Sequence, residues 1–405
     1  MDIVVGGGIV GLSIAWRLAR SGRPVTVVDP APASGASHAA AGMLAPVSEV
    51  TYTEQPLLRL GLAGLRLWPS FASELATDAG LAAGTALGAG TGLAAAPRVD
   101  GPKAEGSGPG AAVSGLSDAA RAGLDFRVDG TLAVAFGADD LAALGELAAF
   151  MEKLGLPVER LTGRECRRLE PMLAPTVRGG LLAQGDAWVD PRRVTTALLA
   201  ALERLGVPLV RARVSELLRD GDKVVGVRLT QADLPEEIRG DRVVLAAGAW
   251  SAGLVDVPVR PVKGQIMRLR SPQPLLGRCV RGTVHGASVY LVPRGDGELV
   301  VGATQEELGF DTRVTAGGLY ELLRDARELV PGVTELEVAD VEAGLRPGTP
   351  DNVPLIGPSG TPGLVLATGH HRGGVLLAPL TAAVLLGEEG EMAELCSPLR
   401  YRDIS

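Results

Sequence analysis

Asp2-Ile3-Val4-Val5-Gly6-Gly7-Gly8-Ile9-Val10-Gly11 is the stretch whose reading decides the fold. Its apolar start, Ile3 to Val5, has the length of a short buried strand, and glycines at 6, 8 and 11 follow at once. Downstream, Leu12, Ala15, Trp16 and Leu18 recur at helical spacing until Gly22, which suits the position after a helix end. Pro24-Val25-Thr26-Val27-Val28-Asp29 then reads as a second buried strand that finishes in a carboxylate. Strand, helix and strand within about thirty residues make a βαβ unit. The glycine spacing has a mechanical reason. A strand must turn sharply into a helix, its backbone must approach a pyrophosphate, and the helix must pack close to the strand. The helix N-terminus then faces the anion. Asp29 stands 18 residues past Gly11, where it can accept both ribose hydroxyls of an adenosine. No arginine adjoins it, which disfavours a 2′-phosphate. A structural glycine turn in a nucleotide-free α/β protein is the competing account.

The chain has 405 residues, which at about 150 per domain allows two or three domains. With 39 Lys and Arg against 47 Asp and Glu the net charge is −8, and no basic block interrupts the acidic excess. Phosphate backbones need clustered cations, so nucleic acid is excluded as a partner. Hydrophobic residues at 46% and charged ones at 21% describe a folded protein. Aromatic residues are only 3%, so Ala, Val, Leu and Ile must build the core. Cys166, Cys279 and Cys396 are too few and too scattered for a disulfide framework or a Cys-rich zinc site. The apolar N-terminus lacks the basic residues of a secretory leader. The longest other apolar run, 373–386, carries Pro379 and Thr381 and falls short of the roughly 18 residues a membrane span needs. These features point to a cytoplasmic protein with no membrane partner.

Helices are expected over 55–77, 141–154, 191–205, 315–329 and 375–386, the third opened by the cap Asp190 and by Pro191. Strands are expected over 130–136, 178–182, 207–214, 223–230, 242–246, 262–270, 288–292, 298–302 and 364–368, with a hairpin turn at Asp220-Gly221-Asp222. Residues 80–115 hold ten glycines and no aromatic side chain, the texture of an Ala/Gly-rich surface insertion.

Two further segments separate a flavin from a nicotinamide dinucleotide. Ala36-Ser37-His38-Ala39-Ala40-Ala41-Gly42-Met43-Leu44-Ala45-Pro46 follows the βαβ unit, and its small side chains let backbone N–H groups approach a flat ring. Gly369-His370-His371-Arg372-Gly373-Gly374 joins a late strand to a helix, a second glycine-rich helix start suited to the ring edge where negative charge accumulates. Further motifs are Asp186–Arg192, Val244-Leu245-Ala246-Ala247-Gly248-Ala249-Trp250-Ser251 and Arg260-Pro261-Val262-Lys263-Gly264-Gln265. Tyr290-Leu291-Val292-Pro293-Arg294, Val301-Gly302-Ala303-Thr304 and Gly344-Leu345-Arg346-Pro347-Gly348-Thr349 complete the series. With these residues in this order the sequence resembles the FAD-dependent amino-acid oxidase (D-amino-acid oxidase-like) family, glycine oxidase branch, over nearly all of the chain outside 80–115.

The resemblance implies an α/β fold: a doubly wound FAD-binding domain with the GxGxxG fingerprint, plus an antiparallel-sheet substrate domain. The FAD-binding part would comprise residues 1–78, 150–257 and 341–400, the substrate part 116–149 and 258–340, and the insertion 79–115. It implies non-covalent FAD. Gly6, Gly8, Ile9, Val10, Gly11, Asp29 and Ser37 would hold its ADP half, with Val214 meeting the adenine through its backbone. Ala246, Ala247, Gly248 and Trp250 would lie beside the cofactor, and Ala41, Gly42 and Met43 would border the flavin. His371, Arg372, Gly373, Gly374, Val375 and Leu376 would surround its pyrimidine side. Arg346 would clamp a substrate carboxylate with help from Tyr290, Arg372 would sit at the rim, and no metal is needed. The implied reaction is oxidative deamination of glycine and small D-amino acids by hydride transfer to FAD. It uses molecular oxygen, gives glyoxylate, ammonia and hydrogen peroxide, and serves thiamine thiazole biosynthesis. A homo-oligomer is compatible with the sequence.

The residues support part of this by themselves. A guanidinium makes two parallel hydrogen bonds to a carboxylate and stays charged when desolvated, although an arginine at 346 could also serve an ordinary ion pair. Arg346 follows a strand-like run, and Pro347-Gly348 suggests a rigid turn that would fix its direction. Tyr290 could equally be a strand tyrosine with a satisfied hydroxyl. His370 and His371 read as pocket walls, since no acid or thiol accompanies them at ligand spacing. Cys279 and Cys396 read as inert. His371 stands where an apolar aromatic is commoner in the family, and Gln305 follows Gly302-Ala303-Thr304 in the pocket region. Substrate side-chain preference therefore stays open among glycine, sarcosine and D-amino acids, as does a dehydrogenase that passes electrons to a quinone.

Overall fold

The opening strand Asp2–Val5 pairs in parallel with Val25–Val28 on one side and with Arg242–Leu245 on the other. The computed structural model in which this pairing is seen describes residues 1–82, 115–230, 236–284 and 286–404. The glycine-rich insertion expected over 80–115 lies, apart from its ends, outside the described residues. Leu364–Thr368 and Leu209–Val210 extend the parallel sheet outward, and Leu355–Pro358 adds an antiparallel edge, giving six strands.

Strand alternation sends successive side chains to opposite faces. Val4, Val27 and Val244 meet the helices Ile9–Arg20, Gln55–Ala79, Pro191–Arg204 and Ala378–Leu386. Four of the scarce aromatic residues concentrate in that layer, Trp16 and Trp68 meeting Phe71 at 5.0 and 5.3 Å, and Phe126 meeting Trp68 at 6.0 Å. Edge-to-face pairs of this kind add about 0.5–1.5 kcal/mol each beyond area burial. On the opposite face Ile3, Val5, Val243 and Leu245 pack on a three-stranded antiparallel sheet, Val214–Asp220, Lys223–Leu229 and Glu237–Arg239. The helix Pro191–Arg204 starts as its sequence indicates, with Asp190 accepting from the Arg192 and Arg193 amides at 2.9 and 3.4 Å.

A second sheet has eight strands, in the order Glu337–Gly348, Arg260–Arg270, Glu298–Gly302, Ala287–Pro293, Cys279–Val284, Thr131–Ala135, Gly179–Ala183, Glu159–Thr162. All its pairs are antiparallel except Thr131–Ala135 with Cys279–Val284. One face, through Met267, Leu269, Leu291 and Val301, buries the helix Ala316–Leu329 by way of Leu322, Ala326 and Leu329. The other face carries Ile266, Arg281, Tyr290 and Arg346 toward the first sheet.

Several expectations are corrected. The strand expected over 207–214 is two elements: Leu209–Val210 ends the parallel sheet, and Val214–Asp220 begins the hairpin, whose turn is at Gly221 as expected. Glu159–Thr162 and Gly179–Ala183, inside the segment 150–257 assigned by sequence to the nucleotide-binding part, pair into the eight-stranded sheet. The helix expected from 375 begins at Ala378, after a turn over His371–Gly373. Arg346 does not precede a turn. Its strand runs on to Gly348, with Arg346 opposite Val262 and Pro347 opposite Pro261, so continuous pairing fixes its direction.

Gly11 touches the turn so closely that a Cβ there would collide with the Gly6 carbonyl oxygen, and Gly6 itself has φ +115 against the Ala246 carbonyl. Gly11→Ala is therefore expected to destabilise the protein by about 1–3 kcal/mol, the usual penalty of overpacking. Urea denaturation measures it, and an unchanged midpoint would contradict this packing.

Candidate active site

The C-terminal ends of the first sheet's central strands and the inner face of the eight-stranded sheet enclose a cavity of about 770 Å³. That lies within the range of roughly 300–1,000 Å³ for small-molecule sites, at the strand ends where α/β sheets bind ligands. At one end are Gly6, Gly8, Ile9, Val10 and Asp29. The Asp29 carboxylate accepts from the Gly7 amide at 2.6 Å and from the Ala31 amide at 2.7 Å, which fixes its orientation. Ser37 Oγ accepts from the Ile9 amide at 2.9 Å. Among the described residues no acceptor takes the Val10 or Gly11 amide, so the helix start presents free donors to an anion. Ser37, Val214, Ala246, Ala247, Gly248 and the half-exposed Trp250 continue the wall.

At the other end, Arg346 lies across Gly264, where any Cβ would collide with its guanidinium. Its Nη1 donates to the Thr304 carbonyl at 3.2 Å and to the Lys263 carbonyl at 3.4 Å. No carboxylate among the described residues pairs with it. Tyr290 lies in the same way across Gly302, its strand partner. Burial raises the pKa of the Tyr290 hydroxyl, opposed by the Arg346 charge, so the group stays a donor. Arg372 is committed differently: its Nη2 donates to Glu54 Oε2 at 2.6 Å, and Glu49 Oε2 lies 3.7 Å from its Nε. Met43 lines the cavity and accepts from the Cys279 thiol at 3.6 Å. Burial pushes that thiol up to about 12, which makes it unreactive as a thiolate.

His371, Gly374 and Val375 line the cavity, with Ala41 and Gly42 opposite. His371 has φ +46, and burial together with Arg372 and Arg346 lowers it to about 4, so its imidazole is neutral. His370 also lines the cavity, and burial lowers it to about 4. The Thr381 hydroxyl donates to the Leu377 carbonyl, so His370 Nε2 must carry the proton it shares with Thr381 Oγ1 at 2.9 Å.

Three predicted site residues lie off the cavity. Gly11 packs under the turn, Gly373 meets Leu377, and Leu376 joins the helix layer, its carbonyl accepting from Trp68 Nε1 at 3.0 Å. Sequence reasoning missed Arg281, Glu49 and Ser288, all on the cavity wall. Arg281 stands directly opposite Tyr290 in the register, so the strand pairing, had it been known, would have found it. His38, Asp340 and Glu342 bring ligand-type atoms together outside the cavity, but Arg192 pairs with Asp340 at 2.7 Å and Glu342 at 2.9 Å, which makes this an ion-pair network. Among the described residues no helix is long and apolar enough to cross a membrane.

A family model described as FAD dependent oxidoreductase matches residues 3–100 and 111–386. The chain belongs to the FAD dependent oxidoreductase family. It is similar to the bifunctional protein ThiO/ThiG of Nostoc sp., 34% identical over 385 residues, covering 95% of this chain and 51% of that one. It is also similar to the hydrogen cyanide synthase subunit HcnC of Pseudomonas aeruginosa, 30% identical over 409 residues, covering 95% and 91%. Glycine oxidase from Geobacillus kaustophilus shares the fold, with TM-score 0.79 and 30% identity over 96% of this chain and 93% of that one. The chain spans about half the length of the first curated relatives it matches. The FAD of the family fits the residues present: unpaired helix-start amides, an acid at the ribose position and a wall of small residues in one continuous cavity.

Keeping His370 neutral contributes stability that is complete above its ordinary value of 6.5 and is lost as the pH falls toward 4. In His370→Gln, whose amide can still donate to Thr381, this acid-limb loss is expected to shrink by about 3 kcal/mol. Chemical denaturation at pH 7 and pH 4.5 measures it, and identical pH dependence in both proteins would contradict the burial of a neutral imidazole.

Proposed function

We propose that the protein is an FAD-dependent amino-acid oxidase whose substrate is glycine. The observation that carries this reading is Arg346: a cavity cation held among the described residues by two backbone carbonyls and paired with no carboxylate, beside a tyrosine hydroxyl that keeps its proton. A guanidinium without a partner acid has its paired donors available for a carboxylate. The glycine oxidase and ThiO/ThiG relatives support glycine as substrate and a role in thiamine thiazole formation.

In this reading FAD is held non-covalently, by the Val10 amide, Asp29 and Ser37 at its ADP half and by Ala41, Gly42, Met43, His371, Arg372, Gly374 and Val375 around its ring. Bound FAD supplies the two-electron oxidation. The chain's own residues do the rest. Arg346 grips the carboxylate, and Tyr290 donates a further hydrogen bond to it. Together they fix the Cα in the cavity, so orientation replaces a nucleophile as the main contribution. Arg372, already neutralised by Glu54, closes the rim. Oxygen is the electron acceptor, with hydrogen peroxide and ammonia as products beside glyoxylate.

Arg346→Lys replaces a two-pronged donor by a point charge and is expected to cost about 1.5–3 kcal/mol of substrate binding, roughly 10- to 150-fold. Tyr290→Phe is expected to cost less, about 0.5–1.5 kcal/mol. Both are read from anaerobic bleaching of the flavin absorbance as glycine is added. Unchanged apparent affinity in Arg346→Lys would contradict the clamp. Denaturation with acid is expected to release all of the flavin, and flavin left attached to the chain would contradict non-covalent binding.

A further inference from the structure

Three arginines converge on the back of the segment that lines the cavity beside Met43. Arg294 Nη2 donates to the Ala41 carbonyl at 2.6 Å, and its Nη1 to the Val189 carbonyl at 3.0 Å. Arg268 Nη2 donates to the His38 and Ala40 carbonyls at 3.2 and 3.4 Å, and Arg192 Nε to the His38 carbonyl at 3.1 Å. Two of these cations have acids: Arg192 has Asp340 and Glu342, and Arg268 has Glu298 at 2.6 Å. Arg294 is 3% exposed and touches no carboxylate among the described residues, although its charge is the strongest of those that hold the nearby Asp190 below the usual carboxylate range. A buried cation that makes no direct contact with an acid and spends its hydrogen bonds on two backbone carbonyls is placed to fix those carbonyls.

In a trans peptide the carbonyl and the following N–H point in opposite directions. With the Ala41 carbonyl drawn back to Arg294, the Gly42 amide faces away from it. With the Ala40 carbonyl drawn toward Arg268, the Ala41 amide does the same. Ala41 and Gly42 both line the cavity and are buried, and neither amide has an acceptor among the described residues. Gly42 is pinned from the other side as well, its carbonyl accepting from the Val189 amide at 3.0 Å.

We infer that Arg294, seconded by Arg268, is a positioning residue that aims the Ala41 and Gly42 amides into the cavity as a pair of donors for the acceptor edge of the flavin ring. This rests on the flavin reading of the cavity. The cation also polarises the peptide it grips, which strengthens the Gly42 donor and favours added negative charge in front of it. Nothing in the βαβ unit requires Arg294, and the Tyr290–Arg294 motif supplies the clamp tyrosine and this second device on one strand, Arg294 following its last residue.

The test compares the full chain with Arg294→Met, which keeps the stem and removes the donors, and Arg294→Lys, which keeps the charge. FAD affinity of the flavin-free proteins is read by fluorescence quenching, and the midpoint potential of the flavin-loaded proteins by reductive titration against a dye. Arg294→Met is expected to bind FAD about ten- to a hundredfold more weakly, with a lower midpoint potential. Arg294→Lys is expected to keep most of the potential and to recover only part of the affinity. A residue that only braced the fold would lower the unfolding midpoint without moving the potential. Wild-type potential in Arg294→Met overturns the inference. If Arg294→Met does not fold, Arg294→Lys decides alone: wild-type affinity in it overturns the inference. Failure of the unmodified protein to bind FAD overturns the flavin reading itself, and this inference with it.

Discussion

One guanidinium lying on a bare glycine organises the reactive end of this molecule. Arg346 has its charge inside the protein, yet among the described residues its hydrogen bonds go to the carbonyls of Lys263 and Thr304 and to no acid. Carbonyl partners orient a guanidinium without cancelling it. Gly264, one strand away, leaves the space the flat group occupies, and Gly302 does the same for the Tyr290 ring. A methyl group at either position would push the donor out of place, so these two glycines matter as much as the side chains they seat.

The other charged groups of the wall show the contrast. Arg372 is spent on Glu54, and Arg281 donates to the Ser48 carbonyl at 2.8 Å with Glu49 Oε1 3.8 Å away. That wall segment is itself suspended: buried Asp186 accepts from the Val47 and Ser48 amides, both at 3.1 Å. Burial pushes Asp186 up to about 6. A group with a raised value contributes stability that is complete below its ordinary range and is lost as the pH rises through about 6. The rim is therefore built of neutralised charges on a titratable support, and the clamp of an uncompensated one.

The first thirty residues were legible because each requirement there is local. The strand, the turn at Gly6, the packing of Gly11 and the carboxylate of Asp29 all follow from spacing along the chain. Arg346, Tyr290 and Met43 were legible through family resemblance, and their geometry became physical only with the sheet. The sequence pattern suggested a turn after Arg346, because Pro-Gly is a local turn signal. The observed strand continues, since Pro347 sits opposite Pro261 in a pairing that no local pattern encodes. Arg281 and Glu49 stayed hidden for the same reason: their places depend on which strands are neighbours and where a loop is hung. Leu376 was misplaced because it lies between the turn over His371–Gly373 and the helix that begins at Ala378, a boundary the sequence pattern does not mark.

The central claim is that a substrate carboxylate sits on Arg346. A crystal structure of the FAD-loaded protein soaked with acetate, a carboxylate without an amine, tests it most directly. The account predicts acetate with both oxygens on the Arg346 guanidinium and one of them near the Tyr290 hydroxyl. Acetate bound instead at Arg281 or Arg372, with Arg346 still on its two carbonyls alone, would contradict it.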